Sequence, residues 1–498
     1  MTRKKEYLVL ALIIFATLAL RIYLSKIFFG QSSDEFCNIY LTRMTFESGF
    51  RAYPHLFMWL YYFISALLLF IIKDSFIAAK IVTLSFGIAL IGIVYLVAKK
   101  IFGKKIAFLS LGLLIINPEF NLIASVPLRE PVYTFFIFLS LILSMNNRIF
   151  LGALSVGLSF LTRMEGLIIG MPYYIAALLV QKIKRKLLKI SIVFLMFILF
   201  VLFMNLWISR PFIYLTDTFR NQGIEDPEVV KFAYSGLYQL VLRIFNSIFT
   251  FMKYLFNLIG PNIIFLIIGT FFLFKDKNKA YSGSKVFKIC YILHLLFWIA
   301  YIFIFKKIIF DFHRYLYPLI PFAMIILSYA FFKLYENIRL KHTLIFLLVF
   351  NLISGYFVYY RNVGKRYIEV SRANKELLKA SLWIERNIPQ DTKYKILADG
   401  VPYFYLYRHS NRFNTATWAV LYNEKHGHFN IYDLIAYIKQ NNIEYVIWQN
   451  DNLAAQPLTE YFEGFREITI ESARFVPLAE FGRYGMKALI YRFEEIKN

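Results

Sequence analysis

The sequence predicts an all-α polytopic membrane domain followed by a soluble α/β domain, and three observations carry that reading. Of the 498 residues 59% are hydrophobic and only 17% are charged, against about 25% charged in soluble globular chains. Several uninterrupted apolar runs reach the roughly 20 residues needed to cross a hydrocarbon core of about 30 Å. After Tyr360 the composition changes: residues 361–498 are charged, carry Asn, Pro and Gly turns, and alternate helical periods with short β-type runs. An aromatic content of 19% and a mean hydropathy of +0.55 exclude a disordered chain.

The first apolar run, Tyr7 to Phe29, follows MTRKKE. It is too long for the apolar region of a signal peptide and has no small-residue cleavage pattern, so it reads as a retained first helix with its basic end inside. Further spans are expected at 76–98, 106–122, 131–145, 149–163, 166–180, 190–208, 259–274, 286–305, 315–332 and 343–360, about eleven crossings in all. A net charge of +25 would suggest a nucleic-acid partner in a soluble protein. Here the basic residues crowd into alternate short loops, among them Lys99, Lys100, Lys104 and Lys105, then Lys182, Lys184, Arg185, Lys186 and Lys189. That is the positive-inside pattern, and no nucleic acid is called for. Residues 55–72 are apolar enough to span, but a crossing there would turn those loops outward. The segment is therefore read as an interfacial or re-entrant helix with Trp59, Tyr61, Tyr62 and Phe63 at the interface.

Two outward segments are long, 30–54 and 209–258, and too aromatic for disorder. The domain 361–498 should hold helices near 371–387 and 430–441 and strands near 394–398, 443–448, 466–471 and 487–493, and the crossing count places it outside the membrane. Cys37 and Cys290 are the only cysteines and lie in unlike contexts, so neither a disulfide framework nor a CxxC metal site is available. No internal repeat, nucleotide-binding glycine fingerprint or G-x-S-x-G elbow occurs. His55, His294, His342, His409, His426 and His428 lack ligand spacing, and the His426–His428 pair reads as a loop rather than a zinc site.

Four constellations could carry chemistry. Ser33-Asp34-Glu35, just beyond the first helix, puts two carboxylates at the membrane surface, where one can take a proton from an acceptor hydroxyl. The bland alternative is an acidic pair marking a helix end. In SVPLREP, 125–131, Pro131 suits a first helical turn, which sets Glu130 at the helix's positive end with Arg129 before it. In LTRMEGL, 161–167, Arg163 and Glu165 are two apart, so on one helix they would not face each other and each would need its own partner. Ionisable groups within spans cost roughly 2.5–3.5 kcal/mol each on insertion scales and are functional candidates by default. In DFHRYLYPLIP, 311–321, Arg314 offers a fork of donors to an anionic headgroup and His313 a further donor; a local Asp311–Arg314 pair is the alternative. Lys306 and Lys307 make this outward patch unusually basic.

The order of these features resembles the integral-membrane glycosyltransferases that use lipid-phosphate sugars, the dolichyl-phosphate-mannose protein mannosyltransferase and lipid A aminoarabinose transferase kind, whose fold is GT-C. The residues that carry it lie between about 7 and 335: SSDEFCNIYLTR, YPHLFMWLYYFISALL, AAKIVTLSFGIALIGIVYLVAKKIFGKKIAFLS, LIASVPLREPVYTFFIFLSLILS, GALSVGLSFLTRMEGLIIGMP and RYLYPLIP. The resemblance implies that Asp34, with Glu35 beside it, supplies the catalytic base. It implies that Glu130, with Arg129, places acceptor or metal, and that Arg314, His313 and Arg163 hold the donor phosphate. A divalent cation, Mg or Mn, on Asp34, Glu35 and Glu130 stays open. The family's proline pair after the first loop is here Pro54-His55, and its usual Asp near Glu130 is Glu. The expected activity is inverting transfer of a monosaccharide from a polyprenyl-phosphate donor to a hydroxyl or amine of a lipid, glycan or protein acceptor, on the outer side of a cell membrane. Three other classes stay open: a transporter or flippase of lipid-linked or small anionic substrates, an oligosaccharide ligase or polymerase with a diphosphate-linked donor, and a binding or assembly protein working through 361–498.

Overall fold

The structure is a computed structural model and describes residues 3–28, 33–50, 59–163, 165–166, 169–170, 174–175, 237–275, 282–304, 312–337, 341–389, 394–398, 400–407, 413–416, 430–449, 458–462, 464–483 and 486–496. The described residues form two compact units, one of Met1–Ser25 with Thr45–Gly364, the other of Lys26–Met44 with Lys365–Asn498.

In the first unit, α1 (Arg3–Ile27) is apolar along most of its length and leaves Tyr7, Leu12 and Phe15 more than 60% exposed, an outward face suited to hydrocarbon. Its N-terminal end is clasped by charge. Glu6 accepts from Tyr95 Oη at 2.8 Å, pairs with Lys104 at 2.6 Å and also meets Lys99. α3 (Trp59–Ile72) precedes α4 (Ser75–Phe102), which Asp74 caps by accepting from the amides of Phe76 and Ile77 at 2.8 and 3.1 Å. At 28 residues α4 is about 42 Å long, enough to span. α5 (Lys104–Ile116) and α6 (Pro118–Ile123) follow, then α7 (Glu130–Met145) and α8 (Ile149–Thr162).

The later helices are α9 (Leu237–Ile259), α10 (Ile263–Lys275), α11 (Ser282–Ile304), the short α12 (Phe312–Tyr315), α13 (Leu319–Asn337) and α14 (Lys341–Tyr359). Every residue of α13 from Leu319 to Phe331 is buried. Such an all-round apolar helix needs partners on all sides, and α5, α10, α4 and α14 supply them. Among the described residues five helices are long and apolar enough to cross a membrane: Lys4–Ile27, Ser75–Phe102, Ile244–Lys275, Leu319–Asn337 and Lys341–Gly364.

Several expectations need correction. The span expected at 106–122 is broken, because Asn117 and Pro118 end α5 and start α6, with Asn117 Oδ1 accepting from Phe120 N at 2.9 Å. The outward segment 30–54 is helical from Ser33 to Glu47, as α2, and the stretch 209–258 is helical from Leu237 onward and joins a spanning helix from Ile244. In α3, Trp59, Tyr61 and Tyr62 are buried, with α4 and α8 packed alongside. The expected spans 166–180 and 190–208 fall almost wholly outside the described residues, as do residues 209–236.

The second unit holds α2 (Ser33–Glu47), α15 (Lys365–Asn387), β1 (Tyr394–Leu397), α16 (Gly400–Tyr407), β2 (Phe413–Ala416), α17 (Ile431–Asn441), β3 (Tyr445–Gln449), α18 (Thr459–Phe462), β4 (Ile468–Ile470), β5 (Ala473–Arg483) and β6 (Met486–Glu495). One six-stranded sheet runs β2-β1-β3-β6-β5-β4, parallel from β2 to β3 and antiparallel thereafter. Alternate strand residues feed two cores, as period-2 geometry requires. Leu397, Val446, Trp448 and Leu489 join Leu434 and Ile438 of α17, while Ile396, Ile447 and Ile490 join Leu377 and Ile384 of α15.

The turn between α9 and α10 is a tight point of the membrane unit. Gly260 has φ +61°, and a Cβ there would lie 2.3 Å from the Cα of Gly355 in α14. Gly260→Ala is expected to destabilise the unit by about 2 kcal/mol or more, read as a lowered melting temperature in detergent; a variant melting with the wild type would show that the two glycines are not in contact.

Candidate active site

The candidate site starts from a buried hydrogen-bonded chain that fixes one loop. Tyr61 Oη donates to Ala79 O at 3.0 Å and lies 3.0 Å from Thr83 Oγ1, which in turn donates to Leu128 O at 2.9 Å. Ser125 Oγ closes on Leu122 O at 2.7 Å. These bonds hold 124–128, a wholly buried connection that would otherwise leave backbone groups unsatisfied. Arg129 follows, its guanidinium 5.8 Å from the Tyr62 ring centroid, and α7 then begins with Glu130 and Pro131. Glu130 therefore sits at a helix N-terminus, as the sequence predicts, where the peptide dipoles favour a carboxylate.

Arg163 arrives from the other side. α8 stops at Thr162, and Arg163 is extended, with φ −154° and ψ 143°. Gly166 N donates to Arg163 O at 2.9 Å, and a Cβ at Gly166 would fall 2.5 Å from the backbone of Ser159, so only glycine lets the chain turn back this closely. On one continuous helix Arg163 and Glu165 would face apart; α8 ends at Thr162, next to the end expected at 163, and the two side chains meet. The guanidinium grips Glu165 through Nε and Nη2 at 3.2 and 3.0 Å and reaches Glu130 Oε1 through Nη1 at 2.5 Å.

Arg314, on α12, completes the cluster, its Nε 2.9 Å from the same Glu130 Oε1. Thus Arg314 pairs with a residue 184 positions earlier; Asp311, offered as its local partner, lies outside the described residues, with Lys306 and Lys307. The Arg163 guanidinium also stands 4.7 Å from the Tyr315 ring centroid and 5.6 Å from that of Tyr133. Glu130 is 1% exposed, Arg163 and Arg314 4% each and Glu165 8%, so all four are shielded from solvent. Among the described residues, Glu130 Oε2 and Tyr133 Oη have no hydrogen-bond partner. The chemical capacity is clear: one carboxylate oxygen holds two guanidinium groups side by side, and a guanidinium fork matches the oxygens of a phosphate.

The remaining predicted residues are placed differently. Asp34 and Glu35 occupy the first turn of α2 in the second unit, where Asp34 is half-buried and Glu35 fully buried. The α2 dipole favours both anions, and Asp34 is the more accessible of the two. His313 belongs to α12, but its side chain lies outside the described residues, as do His426 and His428. Glu130 Oε1 already meets two guanidinium groups, and among the described residues no group of three His, Cys, Asp or Glu side chains is placed to hold a metal ion.

Among the buried charges that the sequence reading did not single out is an arginine of the first helix. Arg21, in α1, is 0% exposed, donates from Nε to Asn121 Oδ1 at 3.2 Å and lies 5.0 Å from the Phe120 ring centroid. Its signal is visible in retrospect as an arginine inside the first apolar run.

Known structures share this arrangement of chain. The crystal structure of ArnT from Cupriavidus metallidurans in the apo state is similar at TM-score 0.58, 13% identity, over 99% of this chain and 98% of that one. Its form bound to undecaprenyl phosphate gives TM-score 0.59 at 12% identity and the same coverage. The chain has the GT-C fold. The Archaeoglobus fulgidus oligosaccharyltransferase is similar at TM-score 0.53 and 12% identity, over 89% of this chain and 71% of that one. No family model matches the sequence, and no curated protein does.

Removing one partner of a buried charge cluster leaves the others uncompensated, at about 3–5 kcal/mol. Glu130→Gln is expected to destabilise the membrane unit by that amount in denaturant titrations of the detergent-solubilised chain, whereas a loss under about 1 kcal/mol would mean the two arginines are satisfied without it.

Proposed function

We propose that this chain is an integral-membrane glycosyltransferase that moves a monosaccharide from a polyprenyl-phosphate donor to a hydroxyl or amine of a lipid, glycan or protein acceptor, on the outer side of the membrane and with inversion. The observation that carries the reading is the buried Glu130–Arg163–Arg314 cluster within a GT-C fold. Support for a lipid-linked donor comes from the similar ArnT structure bound to undecaprenyl phosphate.

The chemistry asks for three things. The donor's anomeric carbon is bonded to a phosphate oxygen, and as that bond breaks the sugar gains oxocarbenium character while negative charge grows on the phosphate. Arg314 and Arg163, with His313 next to Arg314 in sequence, are assigned to that developing charge, and Glu130 with Arg129 to holding the arginines and the acceptor in place. Asp34 takes the proton of the attacking hydroxyl, with Glu35 as its neighbour. The acceptor oxygen bonds to the anomeric carbon from the face opposite the leaving group, and polyprenyl phosphate departs. No step is routed through a metal ion.

A second reading is favoured by the likeness to the archaeal oligosaccharyltransferase: a donor linked through a diphosphate and carrying an oligosaccharide. One assay separates the two. Membranes containing the chain, or its Asp34→Asn variant, are given radiolabelled polyprenyl-phosphate monosaccharides and a diphosphate-linked oligosaccharide. Loss of a catalytic base costs typically 10²- to 10⁴-fold, so wild type should consume one monophosphate donor at least about a hundred times faster than Asp34→Asn. Equal rates would remove Asp34 from the mechanism, and use of the diphosphate donor alone would favour the second reading.

A further inference from the structure

The helix that bears Asp34 belongs to the C-terminal unit. Residues Lys26–Met44 cluster with Lys365–Asn498 although more than 300 positions separate them in sequence. Three attachments hold them. Just before α2, the carbonyl of Ile27 accepts from Lys375 Nζ at 2.7 Å and Ser371 Oγ at 3.2 Å, and that of Lys26 from Lys375 Nζ at 3.4 Å. These are the orphan carbonyls of a helix end, which a lysine both bonds and neutralises. Two residues after Asp34, Phe36 is 2% exposed and is part of the core built by Leu377, Ile384, Leu406 and Ile490. Six residues after Asp34, the Tyr40 ring packs on Tyr403 with centroids 5.8 Å apart.

The attachments bracket Asp34 on both sides, and they come from α15, from α16 and from the sheet. Asp34 itself sits between them, half-buried in the first turn of α2. A freely hanging loop would present a carboxylate in many orientations. A helix that follows closely on a pinned helix end and is packed through its own second turn presents it in one. A misplacement of about 1 Å at a reacting group can cost on the order of 100-fold in rate.

We infer that the C-terminal unit is a positioning element for the transfer reaction, in which Lys375 holds the end of α1 just before α2, Tyr403 holds α2 itself, and together they set the direction of the Asp34 carboxylate. This rests on Asp34 being the base. Lys375 and Tyr403 do not touch the reacting atoms; they act through the helix, so their effect falls on turnover rather than on donor binding.

The test uses the full chain in membranes, with kcat and donor KM measured for Lys375→Met, Tyr403→Ala and Tyr403→Phe, each alone and combined with Asp34→Asn. With melting temperatures matching the wild type, Lys375→Met and Tyr403→Ala should lower kcat about tenfold or more and leave donor KM within about twofold. Tyr403→Phe keeps the ring and should retain activity. In the Asp34→Asn background none of the three should lower the residual rate further, because there is no base left to misplace. Wild-type kcat in both anchor variants, with Asp34→Asn inactive, would overturn the positioning role and leave the base standing. An active Asp34→Asn chain would overturn the base, and the inference with it.

Discussion

The membrane unit depends on keeping charge inside an apolar interior, and Glu130 is where that constraint is tightest. Each ion taken out of water costs several kcal/mol even after relaxation, and only close partners recover it. Glu130 Oε1 meets both Arg163 and Arg314, and Arg163 is shared with Glu165. Everything nearby serves that meeting. The Tyr61–Thr83–Leu128 chain anchors the loop before α7, the extended backbone at Arg163 swings its side chain off α8, and the short α12 carries Arg314. An arrangement that stabilised the fold alone would have apolar residues at these places, which are often as stable or more so. Under the proposed function the retained ions have a task, to hold the donor phosphate.

Charge is handled elsewhere in the same unit by equally local means. Glu6 draws Lys99 and Lys104 together at the start of α1, two of the lysines that the positive-inside pattern placed in one short loop. Tyr359 Oη donates to Glu119 Oε2 at 2.6 Å, tying α14 to α6, and Arg21 rests against Phe120 and Asn121 of the same short helix. The break at Asn117–Pro118 thus creates a buried polar junction that an unbroken span would not provide.

Much of the fold was legible because periodicity and helix signals are local. Pro131 marked the start of α7, and alternating runs marked β1, β3 and β6. Strand β5 escaped because Pro477 argues against a strand; in the structure it lies past the short stretch paired with β4 and next to a register shift, where a missing amide donor is tolerated. The site was half legible. Buried Arg and Glu in apolar sequence announced candidates and the expected span ended at 163, but the Arg163–Glu165 grip needed the extended backbone at Arg163, and the Arg314–Glu130 pair needed tertiary contact. The attachment of α2 to the C-terminal unit is likewise a contact between residues more than 300 apart, which no local pattern encodes.

In the proposed reaction the chain breaks the bond between a sugar and a lipid phosphate. Phosphorus NMR of membranes from its own cell, supplied with polyprenyl-phosphate sugars and retaining native acceptors, reads that bond directly. The account predicts that one donor's phosphodiester signal is replaced by a polyprenyl phosphate monoester signal, with the sugar recovered in a glycoside of opposite anomeric configuration. Persistence of every diester signal in membranes that contain the folded chain would contradict it.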